Sequence, residues 1–158
     1  MAAIKRVTPN VHLNDGEVNR LLAQLSPDNP GLRIEIDELN GLLCDPLCAM
    51  LAAVDTCVCG RERWRGMAMI FFQRKPSGWL AEIHDVVVDE SFRRRGVGEG
   101  LVRELMEVAL EFSQTRNAKV TLTLTSKPSR GAANPLYLKL GFVLVAKAEG
   151  ESGTNLYK

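Results

Sequence analysis

The spacing of hydrophobic positions changes several times along the chain, and each change predicts an element. Ile4 to Thr8 reads as a first strand ending near Pro9. Asn14 or Asp15 is placed to cap a helix reaching about Gln24, with Val18, Leu21 and Leu22 on one face. Ser26-Pro27-Asp28-Asn29-Pro30-Gly31 breaks the pattern, and a second short helix runs to about Cys44, before Asp45-Pro46. The apolar run Cys48 to Val54 predicts a strand, Cys57 to Arg65 is turn-like, and Gly66 to Phe72 predicts the next strand. Lys75-Pro76-Ser77-Gly78 then forms a hairpin connection into a strand from Trp79 to Val88.

Beyond Val97 the period becomes helical. Leu101, Leu105, Val108, Ala109 and Phe112 share one face, while Glu99, Arg103 and Glu107 line another at i, i+4 spacing. This helix is expected to end near Gln114, with Asn117 beginning the exit. Lys119 to Thr125 alternates Val120, Leu122 and Leu124 with threonines, as a half-buried strand does. A last helix ends at Leu140, where Gly141 suits a left-handed cap. Pro135 removes a donor from that helix and predicts a late or distorted start. Phe142 to Ala146 and Thr154 to Tyr157 are expected to pair around a Glu149–Gly153 turn. The fold class is therefore mixed α/β: antiparallel strands first, then strand, helix, strand and helix, giving a mostly antiparallel sheet flanked by helices.

Composition narrows the function. The chain has 158 residues, which predicts one domain, and 46% hydrophobic with 25% charged residues is ordinary for a globular protein. A net charge of +1 argues against a dedicated nucleic-acid binder. No apolar run reaches the ~18 residues that span a bilayer. No signal-like apolar stretch follows Met1-Ala-Ala-Ile-Lys-Arg, so no membrane association and a cytoplasmic location are expected. Cys44, Cys48, Cys57 and Cys59 do not have zinc-knuckle spacing, and the two histidines, His12 and His84, are remote in sequence. Reduced thiols packed as small apolar groups, and no metal, are expected.

The candidate chemistry centres on Arg93-Arg94-Arg95-Gly96-Val97-Gly98, between the strand-like Ile83–Val88 and the long helix. Strand, basic glycine loop and helix make an anion cradle, because N–H groups and the helix dipole converge at the helix start. Gly96 and Gly98 permit a sharp turn and close approach. The dinucleotide fingerprint fails because Gly100 falls one residue short, and no Gly-Lys-Ser/Thr follows for a P-loop. A nucleotide-binding regulatory domain is disfavoured accordingly.

A second segment, Ser129 to Phe142, sharpens the reading. Arg93, Gly96 and Gly98 satisfy a Gln/Arg-x-x-Gly-x-Gly/Ala pattern, while Ala133, Tyr137, Gly141 and Phe142 satisfy Ala-x-x-x-Tyr-x-x-x-Gly-Phe. In that order and spacing the chain resembles the GNAT superfamily of acetyl-CoA-dependent N-acetyltransferases, over about Ala81 to Phe142. The resemblance implies a mixed sheet splayed where two strands diverge, with acetyl-CoA as cosubstrate in the opening. It assigns the pantetheine amides to backbone groups of Val86, Val87 and Val88, and offers the same groups to the acetyl oxygen. It assigns the pyrophosphate to the main-chain amides of Arg93, Arg94, Arg95, Gly96, Val97 and Gly98, the arginine side chains being secondary. Tyr137 matches the tyrosine that donates a proton to the leaving thiolate, and Glu82 or His84 is the expected general base.

Strand alternation puts Glu82, His84, Val86 and Val88 on one face and Asp85 on the other, where a structural role is expected. The sequence departs from the family twice. Arg94 stands where many relatives have glycine, and Arg130 where many have an asparagine that holds CoA; Asn134 is not assigned that role. The implied activity is acetyl transfer to a primary amine of a small molecule or peptide, and a homodimer is possible at the family level. A non-catalytic acyl-CoA-binding or sensing module is the alternative, which would tolerate loss of Tyr137, Glu82 and His84.

Overall fold

The computed structural model describes residues 2–10, 14–147 and 153–158. Its elements are β1 (Ala3–Arg6), α1 (Asp15–Leu25), α2 (Ile36–Cys44), β2 (Cys48–Thr56), β3 (Glu62–Lys75), β4 (Gly78–Val88), α3 (Val97–Arg116), β5 (Val120–Ser126), α4 (Ala133–Lys139), β6 (Leu144–Ala146) and β7 (Asn155–Tyr157). The strands form one sheet in the order β1-β2-β3-β4-β5-β7-β6. Every neighbouring pair is antiparallel except β4 and β5, which run parallel and are joined through α3. His12 and most of the expected Glu149–Gly153 turn lie outside the described residues.

The continuous apolar run of β2 arises because both sheet faces are covered. Ala49, Leu51 and Ala53 join the cluster beneath α3 and α4, while Cys48, Met50, Ala52 and Val54 join the cluster beneath α1 and α2. Burying each large aliphatic side chain contributes about 1.5–3 kcal/mol, so the two clusters hold helices on opposite faces. Small residues on the α3 side let that helix approach closely. A Cβ on Gly66 would lie 2.8 Å from the Val87 carbonyl oxygen and 3.1 Å from Leu101 Cδ1. The N-terminal end of α3 is thereby seated on the sheet beside the end of β4.

Caps explain the helix boundaries. The Asn14 side chain accepts from the Glu17 N–H, and Asn117 ends α3 with a left-handed φ of 47°. Gly141 follows α4 with φ 96°. Three local expectations require correction. Glu62 to Arg65 extends β3 rather than the preceding turn, because Trp64 is buried in the inner cluster. Pro135 neither delays nor distorts α4, since it is the third helical residue, where no intrahelical N–H bond is available to lose.

The third correction concerns the cysteines. Cys57 and Cys59 form a disulfide in the β2–β3 turn, and only Cys48 is packed as a buried thiol; Cys44 is exposed. The turn brings the Cα atoms of Cys57 and Cys59 to 5.2 Å, within bonding reach, so spacing alone misjudged the pair.

Candidate functional site

The parallel pairing of β4 and β5 runs from Trp79–Val120 to Ile83–Leu124 and stops there. Past that point β5 pairs with β7 through Ser126, while β4 continues along β3 to Val88. The β5-facing edge of Val86–Val88 thus leaves the ladder, with backbone groups available to an extended amide chain.

Three connected cavities occupy this divergence. One of about 560 Å³ separates the end of α1 from Val86–Val88 and the Lys127–Ala133 segment. A second, about 200 Å³, lies at the head of the opening against His84, Asp85, Ser126, Lys127, Arg130 and Tyr137. A third, about 380 Å³, lies over Arg93, Arg94 and Gly96–Glu99. Val86 borders all three, and Tyr137 joins the second to the third.

Local backbone geometry shapes the anion cradle. Gly96 has φ 80° at the cap of α3, and Arg94 also adopts a left-handed φ of 60°. The first intrahelical bond runs from Gly100 N to Gly96 O at 2.9 Å, leaving Val97, Gly98 and Glu99 as first-turn donors. A Cβ on Gly98 would sit 3.3 Å from Val88 Cγ2 and 3.7 Å from Leu136 Cδ2, so this glycine keeps the cavity floor open. Arg93 Nε donates to the Val88 carbonyl at 3.2 Å. Arg95 instead lies over the Phe92 ring at 4.8 Å and does not border the third cavity. Glu99 brings negative charge to this end, but Lys139 and Arg103 bind its carboxylate at 2.7 and 2.9 Å and hold its pKa below the usual value.

A β-bulge corrects the face assignment on β4. His84 pairs with Met69 and Val87 with Met67, so Asp85 and Val86 together oppose Ala68. Asp85 takes φ 50° there. Glu82, His84 and Val87 consequently share the α1/α2 side, whereas Val86 packs on the α3 side and Val88 touches Gly98 there. Alternation fails because the bulge inserts one residue. Asp85 borders both the head cavity and an outer groove with Leu32, Glu38 and Leu42.

The candidate proton-transfer groups are separated by the same geometry. His84 lines the head cavity and contacts Phe71 edge-on at 5.5 Å. Glu82 lies within the closed ladder, in register with Thr123 and Phe71, and lines none of these three cavities. Tyr137 is 3% exposed, with Phe142 and Tyr157 rings 6.2 and 5.6 Å away. Burial pushes its phenol above the ordinary pKa, partly opposed by the positive charge of Arg130. Asn134 is committed elsewhere: its amide donates to the carbonyls of Lys127 and Arg130, and it accepts from Tyr157 Oη at 3.0 Å. Arg130 borders the first two cavities and reaches the Leu25 carbonyl at 3.5 Å.

Two features escaped the sequence. Arg20 of α1 binds Glu17 at 2.8 Å, the Trp64 carbonyl and Asp89. Asp89 also accepts from Ser91, so one buried carboxylate ties α1 to the segment preceding the anion cradle. Burial opposes its charge, but Ser91 and Arg20 bring its pKa down to about 2. The other feature is Ser126, at the end of β5 in the head cavity. An isolated acid or serine carries no sequence signal for either role.

The chain belongs to the GNAT acetyltransferase family, whose profile matches residues 22–142. Over 96 residues it is 38% identical to glucosamine 6-phosphate N-acetyltransferase 1 of Oryza sativa subsp. japonica, covering 56% of this chain and 55% of that protein. An uncharacterised N-acetyltransferase of Methanocaldococcus jannaschii is 33% identical over 63 residues, 40% of this chain and 26% of that one. The chain thus spans about half or less of the curated relatives it matches. Its fold is similar to that of Arabidopsis thaliana NAA60 in complex with acetyl-CoA, with TM-score 0.68, 16% identity, and coverage of 99% and 97% of the two chains. An aminoglycoside acetyltransferase from an uncultured soil metagenomic sample gives TM-score 0.68 at 22% identity, covering 95% of each chain.

Proposed function

We propose that the protein is an N-acetyltransferase that moves an acetyl group from acetyl-CoA directly to a primary amine of a small molecule or peptide. The observation carrying this reading is the junction of an anion cradle, a released strand edge and a titratable head cavity in one divergence of the sheet. Family membership supports the cosubstrate, as do the open first turn of α3 and the floor kept clear by Gly98. Bound acetyl-CoA supplies an acetyl thioester whose transfer releases a thiolate.

The chain's own groups divide the remaining work. Main-chain N–H groups of Val97, Gly98 and Glu99 bind pyrophosphate, with Arg93 and Arg94 adding charge beside them. Backbone groups of Val86–Val88 hold the pantetheine amides as an added strand. His84 accepts a proton from the attacking amine, directly or through water; its place in the head cavity favours it over Glu82. Tyr137, like any tyrosine, is protonated at neutral pH, burial raises its pKa further, and its hydroxyl protonates the departing sulfur.

Calorimetric titration tests the cosubstrate. Micromolar binding of acetyl-CoA and CoA, without binding of ATP, is the expected result, followed by amine-dependent thiol release across a panel of amino sugars, aminoglycosides and peptide N-termini. Absence of heat and of any thermal shift with acetyl-CoA would overturn the reading. Binding without thiol release from any amine would favour the non-catalytic module.

A further inference from the structure

Ser126 poses a problem that the roles above leave unsolved. It is 1% exposed, and its hydroxyl has no hydrogen-bond partner among the described residues. Burying a hydroxyl without a partner is costly, and such groups are uncommon in folded proteins. The residue is among those bordering the 200 Å³ head cavity, with its hydroxyl oxygen buried behind the cavity wall. It stands two residues beyond the last β4–β5 pair, level with the Asp85–Val86 bulge across the opening. On β5 it shares the face of Leu122 and Leu124, the side on which Tyr137 packs.

The cavity is also polarised. Ser126, Lys127, Arg130 and Tyr137 line its β5–α4 side with Thr125, and Thr154 and Ser26 also border it, while His84 and Asp85 line the β4 side, so both of its cations lie opposite its carboxylate and imidazole. Acyl transfer to an amine builds negative charge on the acyl oxygen and positive charge on the nitrogen. A cavity with its cations on one wall and a carboxylate and an imidazole on the other matches that separation.

Resting on the acetyl-CoA reading, we infer that Ser126 is a further catalytic residue whose hydroxyl donates a hydrogen bond to the acyl carbonyl oxygen. Its unpartnered state in the free protein is then preorganisation. The donor is desolvated and waiting, so no water-bonded arrangement must be broken when the acyl group enters. Sequence reasoning passes over it because one serine at a strand end has no periodic or motif context.

The test compares Ser126→Ala with wild type using acetyl-CoA and CoA as calorimetric probes. Wild type should prefer acetyl-CoA, and the variant should lose roughly threefold to tenfold of that preference with its CoA affinity unchanged, the range for one neutral hydrogen bond. Isotope-edited infrared spectroscopy of carbonyl-labelled acetyl-CoA should show a lowered stretching frequency on wild type. That frequency should return toward the free value on Ser126→Ala, with Ser126→Thr intermediate. The melting temperature of the alanine variant should match or exceed wild type, because an unpaired buried hydroxyl is removed.

An unchanged ratio and frequency in the alanine variant would overturn the role of Ser126 while leaving the acyl-CoA reading intact. Equal weakening of both probes would also overturn it by indicating a packing role. Failure of wild type to bind either probe would overturn the underlying reading and this inference with it.

Discussion

The Asp89–Arg20 contact offers the perturbation whose size can be worked out most directly. Asp89→Asn preserves shape and an acceptor for the Ser91 N–H but removes the charge facing Arg20. The native carboxyl has its pKa brought from 3.8 to about 2. At about 1.36 kcal/mol per pH unit, the charged form gains about 2.4 kcal/mol from its surroundings in the folded state. Because the folded pKa is depressed, that stability is fully present above about pH 4 and is lost as pH falls through about 2. Urea unfolding followed by tryptophan fluorescence should therefore show Asp89→Asn less stable than wild type by about 2–2.5 kcal/mol at pH 6. At pH 3 the same linkage leaves the gap near half that size. A gap below about 1 kcal/mol at pH 6, or one equal at both pH values, would refute the reasoning, since exposed ion pairs typically contribute no more than that. Glu17 and the Trp64 carbonyl still hold Arg20 in the variant, so the fold should survive and the comparison remain two-state.

Other changes probe the site itself. Gly96→Ala places a side chain at φ 80° with nothing within 4 Å, so its cost is conformational; about 1–2 kcal/mol of stability and a weaker CoA affinity should be lost together, measured by melting and calorimetry. Tyr137→Phe should lower kcat by about 10²–10³ with little change in acetyl-CoA affinity, as expected for a lost general acid. Since burial raises the Tyr137 pKa, activity should not fall from its ionisation until the pH exceeds the ordinary tyrosine value near 10. His84→Gln should reduce kcat/KM at least tenfold more than Glu82→Gln, because His84 borders the head cavity and Glu82 lies in the closed ladder. Equal losses at the two positions in steady-state kinetics would contradict that assignment.

Local physical chemistry was strong enough to mark most elements in advance. Asn14 as a cap, the helical stripe through Leu101 and Leu105, Gly141 as a stop and the arginine-glycine loop all act within a few residues. Their effects on backbone and burial are therefore written in neighbouring letters. The ordered pair of motifs around Gly96 and Tyr137 carried the family in the same way. What the linear pattern could not supply was set by contacts distant in sequence. The bulge at Asp85 depends on how β4 must fit β3, and it reversed the faces assigned to Val86 and Val88 relative to Glu82 and His84. Closure of Cys57 onto Cys59 depends on the hairpin that carries them. The binding of Arg20 to Asp89 spans 69 positions, and the isolation of the Ser126 hydroxyl depends on strands that part beside it. Periodicity determines which side chains can be buried together, but only the assembled sheet decides which polar groups inside it meet a partner and which are left for a ligand.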